Sequence, residues 1–183
     1  MKKIIFAALA LVAIATAPNV YAQENPMVGG AAMYNTKDIV DNAANSKDHT
    51  TLVAAVKAAD LVETLKSDGP FTVFAPTNAA FDKLPAGTVE TLVKPENKAT
   101  LTKILTYHVL AGKYNAASIM KAIKKGNGEA TFTTVSGGKL SASMAMGKVK
   151  LTDENGGTAF VTIADVNQKN GVIHVIDCVV TPK

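Results

Sequence analysis

Two hydrophobic rhythms divide this chain, one before Gly126 and one after it. In the first part apolar positions recur at helical spacing: Leu52, Val53, Val56 and Ala59 fall at i, i+1, i+4 and i+7, and Leu101, Ile104, Leu105 and His108 at i, i+3, i+4 and i+7. Asn115 is placed to cap a further helix through Ile119, Met120 and Ile123, which closes on Lys124-Lys125 ahead of Gly126. Shorter helices are expected from a Thr36 cap through Asp38, Ile39, Val40 and Ala43, from Leu61 to Lys66 with Asp60 and Glu63 as a capping box, and around Val89 to Val93. After Gly126 the period becomes two. Ala130-Phe132, Leu140-Ala142-Met144-Met146, Val149-Leu151, Ala159-Val161-Ile163 and Ile173-Val175 alternate, separated by Ser136-Gly137-Gly138, Asp153 to Gly157 and Asn170-Gly171. That pattern predicts a meander of strands.

One stretch breaks the division. In Phe71 to Phe81, FTVFAPTNAAF, Phe71, Val73 and Ala75 fall on one face of an extended segment and Thr72 and Phe74 on the other, so both faces are expected to be covered. Pro76 removes a ladder donor and biases Ala75 towards extended angles, and Thr77 is placed to cap a short helix that carries Ala79, Ala80 and Phe81 inward. Helices first and strands later, with this early strand carried back to the late sheet, argue for an α+β domain.

The first residues change the picture of where the chain works. Met1-Lys2-Lys3, the apolar run Ile4 to Ala17 and Val20-Tyr21-Ala22 have the form of a signal peptide over residues 1–22, cleaved before Gln23. The apolar run is shorter than the roughly twenty residues that span a bilayer. An exported product is expected, periplasmic or secreted, with an extended N-terminal segment at 23–35 and the domain at 36–183. With no cysteine just after the apolar run and no hydrophobic tail after the last strand pattern, no covalent lipid anchor is expected. Removing Lys2 and Lys3 from the 19 lysines leaves 17 against 15 acids, a balance of +2. With no arginine and no basic block, nucleic acid is excluded as a partner. Cys178 is the single cysteine, so the fold rests on its core, and its place among apolar residues with no lysine near it predicts a buried, slow-reacting thiol.

Signatures of chemistry are absent: no G-x-S-x-G, P-loop, dinucleotide glycine pattern, C-x-x-C or H-E-x-x-H occurs, so no turnover and no cofactor are expected. His49, His108 and His174 are too scattered to predict a metal site. Met144 and Met146, on one strand face, are expected in the core, and Asp153 to Gly157 reads as a hairpin turn instead of a calcium loop. His108, on an apolar helix face, is expected to be a buried hydrogen-bonder. His174 is either a sheet-surface residue or a second structural hydrogen-bonder, with Asp177 as its nearest acceptor.

FTVFAPTNAAF resembles the first signature of fasciclin (FAS1) domains, and DVNQKNGVIHVIDCVV, Asp165 to Val180, the second. Tyr107-His108 in TYHVLAGKY is similar to the Tyr-His pair found between them. The resemblance runs from about Thr36 to Pro182, nearly the whole mature chain. It implies a fasciclin-like α+β domain in which two β-sheets form a wedge under a covering cluster of helices. It also implies a non-catalytic module for cell adhesion or surface and matrix interaction, with a protein or cell-surface partner. Tyr107 and His108 are implied in partner binding, by direct contact or by holding the local fold. The alternative is an exported carrier of an apolar small ligand, a pigment or lipid.

Overall fold

The computed structural model describes residues 25–183, so the signal peptide expected over residues 1–22 and its expected cleavage point lie outside the described residues. Where an extended lead-in was expected, the chain forms a hairpin of β1 (Met27–Val28) and β2 (Ala31–Ala32). It tucks Val28 and Met33 into one apolar cluster with Ile39, Val56 and Ile173. Strands of two residues leave no alternation to read.

Two caps differ from expectation. In α1 (Ile39–Ala43) the capping residue is Asp38, whose carboxylate accepts from the Asp41 N–H at 2.8 Å, and not Thr36. In α3 (Val62–Lys66) no side chain caps the helix. Asp60 instead adopts the left-handed region at φ 55, just past the end of α2 (Thr50–Ala58), and its carboxylate pairs with Lys98. Thr77 does cap α4 (Asn78–Phe81), accepting from the Ala80 N–H at 3.3 Å, although Ala79 stays exposed. The remaining helices are α5 (Thr88–Leu92), α6 (Lys98–Tyr107) and α7 (Ala116–Lys125). Asn115 caps α7 by accepting from the Ser118 N–H at 2.8 Å; Ile119 and Ile123 face inward and Met120 faces solvent.

Seven strands are joined in the order β4-β3-β9-β8-β7-β6-β5. They are β3 (Phe71–Pro76), β4 (Val109–Ala111), β5 (Glu129–Thr133), β6 (Lys139–Ala145), β7 (Lys148–Thr152), β8 (Thr158–Gln168) and β9 (Gly171–Ile176). The strands β5 to β9 form the expected antiparallel meander. The early strand β3 lies parallel to β9, from Phe71 opposite Gly171 to Pro76 opposite Ile176, and antiparallel to β4.

The two sheets of the expected wedge share one long strand. β8 pairs with β7 through Thr158 to Phe160 and with β9 from Val161 onward, with register shifts between Val161 and Ile163 and between Ile163 and Val166. Val161 and Ile163 are two apart yet pack in different clusters, so the irregularity between them turns β8 over. One cluster, with Val73, Ala75, Ile173 and Val175, lies under α1, α2, α3 and α6. The other joins Phe74 and Ile176 of one half to Leu140, Leu151 and Ala159 of the other and to Ile119 and Ile123 of α7. Phe74 is 0% exposed, as its place on the second face of a doubly covered strand required.

Met144 and Met146 correct an expectation. β6 ends at Ala145, and Met146 sits in the turn to β7 at φ 51, 85% exposed. Met144 is 45% exposed although Leu140 and Ala142 on the same face are buried. Neither belongs to the core, because the alternation outruns the part of the strand that anything covers.

Candidate functional site

Tyr107 and His108 stand where α6 runs into β4, at the seam between the helical layer and the sheet. Both side chains are inside, 0% and 3% exposed. The Tyr107 hydroxyl donates to the Lys139 carbonyl at 2.5 Å and accepts from the Glu154 N–H at 3.3 Å, tying the helix end to the β5–β6 and β7–β8 turns. Burial pushes this phenol up to about 12, with the carboxylates of Glu154 and Asp153 adding to the effect. Glu154 is held below the usual carboxylate range by the N–H groups of Lys139 and Lys183, which its two oxygens accept at 2.9 and 3.1 Å.

His108 is fixed in one tautomer by its partners. Nδ1 donates to the Ile104 carbonyl at 2.9 Å, and Nε2 accepts from the Val180 N–H at 3.2 Å, so the ring joins the last turn of α6 to the C-terminal tail. A proton on Nε2 would confront an N–H donor. Burial drives the ring down to about 4, against smaller opposing effects of the Ile104 carbonyl and Asp153. His174 uses the opposite tautomer: Nε2 donates to the Tyr114 carbonyl at 2.8 Å and Nδ1 accepts from the Asp165 N–H at 3.3 Å. It is buried, stacked on Phe74 with ring centroids 5.7 Å apart, and lowered by burial. It is therefore the structural hydrogen-bonder of the two alternatives, and Asp177 is not its partner. Asp177 accepts from the Phe160 N–H at 2.7 Å and pairs with Lys83 at 3.8 Å.

His49, also buried and lowered by desolvation, meets the Ser46 hydroxyl through Nδ1 at 2.9 Å. Its Nε2 lies towards the Ala75 backbone without a hydrogen bond of normal geometry, the one buried side-chain nitrogen or oxygen so placed among the described residues. The three histidines thus serve three separate seams. Among the described residues no group of three or more His, Cys, Asp or Glu is arranged to hold a metal ion.

Cys178 departs from expectation. β9 ends at Ile176, so the thiol lies beyond the strand, half-buried, with the Lys83 ammonium 3.3 Å from Sγ. Lys83 arrives from the end of α4, about a hundred residues away in the chain, which sequence spacing could not show.

Several structural residues were missed because their types are ordinary in loops. The Asp153 carboxylate accepts from the N–H groups of Asn155, Gly157 and Thr181 at 3.0, 2.7 and 2.9 Å, so the expected hairpin turn also anchors the C-terminal tail. Asn170 accepts from the Ile39 N–H at 3.1 Å and donates to the carbonyls of Leu65 and Ser67, binding α1 and α3 to the start of β9. Gly138 is required by close approach. A Cβ there would lie 2.7 Å from Cε2 of the Tyr107 ring, which its hydroxyl partners hold in place. Gly138→Ala is accordingly expected to cost about 1 to 3 kcal/mol by overpacking and to lower the melting temperature by about 3 to 8 °C, measured by circular dichroism.

With this geometry in hand, the comparisons with known proteins are decisive for the fold. The Fasciclin domain family model matches residues 47–182. This chain belongs to the fasciclin domain family. It is 48% identical over 175 residues to Protein sll1483 of Synechocystis sp., covering 96% of this chain and 90% of that protein. Over 168 residues it is 36% identical to Immunogenic protein MPB70 of Mycobacterium bovis, covering 88% of this chain and 78% of the relative. It is 35% identical to Cell surface glycolipoprotein MPB83 of the same species, covering 88% and 69%. Among solved structures, a FAS1 domain pair from the insect cell adhesion molecule Fasciclin I matches with a TM-score of 0.67 at 19% identity, over 78% of this chain and 50% of that one. The chain therefore spans half the length of that pair, and the likeness establishes the fasciclin-like α+β fold.

Proposed function

We propose that this protein is an exported, non-catalytic module that attaches to a cell-surface or matrix partner. The observation that carries the reading is how the reactive side chains are used: Tyr107, His108 and His174 each close a seam of the fold through bonds to backbone groups. Their polar atoms are all engaged in these bonds, and the cavity that His108 lines is apolar and holds only about 40 Å³, too small for a substrate. The family relationship and the similarity to the cell surface glycolipoprotein MPB83 support a role outside the cell. Among the described residues no helix is long and apolar enough to cross a membrane. On this reading Tyr107 and His108 support binding by holding the fold.

The carrier reading is less well supported. The apolar cavity between α1, α2, α6 and β3, lined by Ile39, Val56, Val73 and His108 among others, holds about 40 Å³. Ligand sites usually need about 300 Å³ or more. A single domain with few exposed aromatics is expected to bind weakly, so that attachment comes from many copies. Sedimentation of the purified chain with washed host envelopes tests the proposal. Saturable co-sedimentation of colourless, lipid-free protein is expected, whereas protein that stays in the supernatant or arrives with a bound pigment would contradict it.

A further inference from the structure

The outward face of β5 to β8 is left open by the helices that cover β3 and β9. Phe132, Leu140, Leu151 and Ala159 turn inward, so their strand neighbours turn outward, and the pairing registers set these in rows. Thr131 stands opposite Ser141, Ser141 opposite Thr152, and Thr152 opposite Thr158. Four hydroxyls thus line up across four strands, a row about 14 Å long at the usual interstrand spacing. The first two lie 3.4 Å apart. The adjacent row is Glu129, Ser143, Lys150 and Phe160, and Phe160 belongs to neither apolar cluster. Lys148 stands on the same face one row further on, and Lys139 on the other side, donating to the Thr133 hydroxyl at 2.7 Å. None of these three lysines forms an ion pair among the described residues.

We propose that this face binds an extended acidic polysaccharide laid along the hydroxyl row. The inference rests on the surface-attachment reading and names its partner class. Serine and threonine hydroxyls both donate and accept, which suits sugar hydroxyls presented in either sense. Three ammonium groups against the carboxylates of Glu129 and of Glu154, which accepts from the Lys139 N–H at 2.9 Å, leave the face net positive and complement the carboxylates of a uronic-acid chain. The half-buried Phe160 ring offers an apolar surface at the end of its row. A protein partner fits less well, because the open face has no desolvated apolar centre to anchor it.

The test is binding of the purified chain to polygalacturonate, with dextran as the neutral control, at low and high salt. The parent should bind polygalacturonate, ignore dextran and lose affinity as salt rises. Lys148→Gln with Lys150→Gln should weaken binding about fivefold, as expected for two exposed charges, at an unchanged melting temperature. Thr152→Val, which keeps the shape and removes the hydroxyl, should weaken it too. Failure to bind polygalacturonate, equal binding to dextran, or unchanged affinity in both variants would overturn the proposal. If the double lysine variant co-sediments with envelopes at the parent's affinity, this inference fails while surface attachment stands; if the parent itself does not co-sediment, the broader reading fails.

Discussion

Replacing Phe74 with alanine is expected to destabilise the protein by about 4 kcal/mol, a large share of the 5 to 15 kcal/mol typical of folded domains. Phe74 is fully buried and meets elements from every part of the chain. It sits on β3 between β4 and β9, packs in the cluster completed by α7 and the β5–β8 strands, and stacks on His174. Truncation removes the ring and leaves a void that backbone paired on both sides cannot close. Urea unfolding of the variant should show a midpoint shifted far down with little change in slope. A loss below about 1 kcal/mol would mean that the two halves of the sheet are not held together through this ring.

Acid should be the second large effect. His108 titrates near 4 in the folded protein and near 6.5 when unfolded, so below 6.5 the unfolded chain binds the extra proton. Its contribution is therefore full above about pH 6.5 and is lost progressively as pH falls towards 4, reaching about 3 kcal/mol for this residue. His49 and His174 are lowered as well and act in the same direction. The depressed carboxylates Asp41 and Glu154 also lose their contribution as pH falls, but below the histidine window. Urea midpoints measured from pH 7.5 to 4.5 should decline steadily, and His108→Gln should start lower and decline less. A flat profile for the parent would show that the buried rings titrate normally.

The parts of this fold that could be read in the sequence are those whose period is long enough to count. The stripes of α2 and α6, the Asn115 cap and the late strands all carry several repeats, and FTVFAPTNAAF combines two covered faces with a proline stop. What stayed hidden depends on partners distant in the chain. The turning of β8 between Val161 and Ile163 is a register effect with no residue signature. Lys98 claims the Asp60 carboxylate from across the fold, and Lys83 reaches Cys178 in the same way. At the Tyr-His pair, burial could be inferred from the apolar face, but the tautomer could not, since the Val180 N–H that fixes Nε2 comes from the C-terminal tail.

The measurement that bears most directly on the account is surface attachment by a host strain lacking this protein, complemented with the parent, Tyr107→Phe or His108→Gln. Each purified variant is melted alongside. Deletion should impair attachment, the parent should restore it, and each variant should restore it in proportion to the fraction folded at the assay temperature. A deletion strain that attaches as well as the parent, or a fully folded Tyr107 or His108 variant that fails to restore attachment, would contradict it.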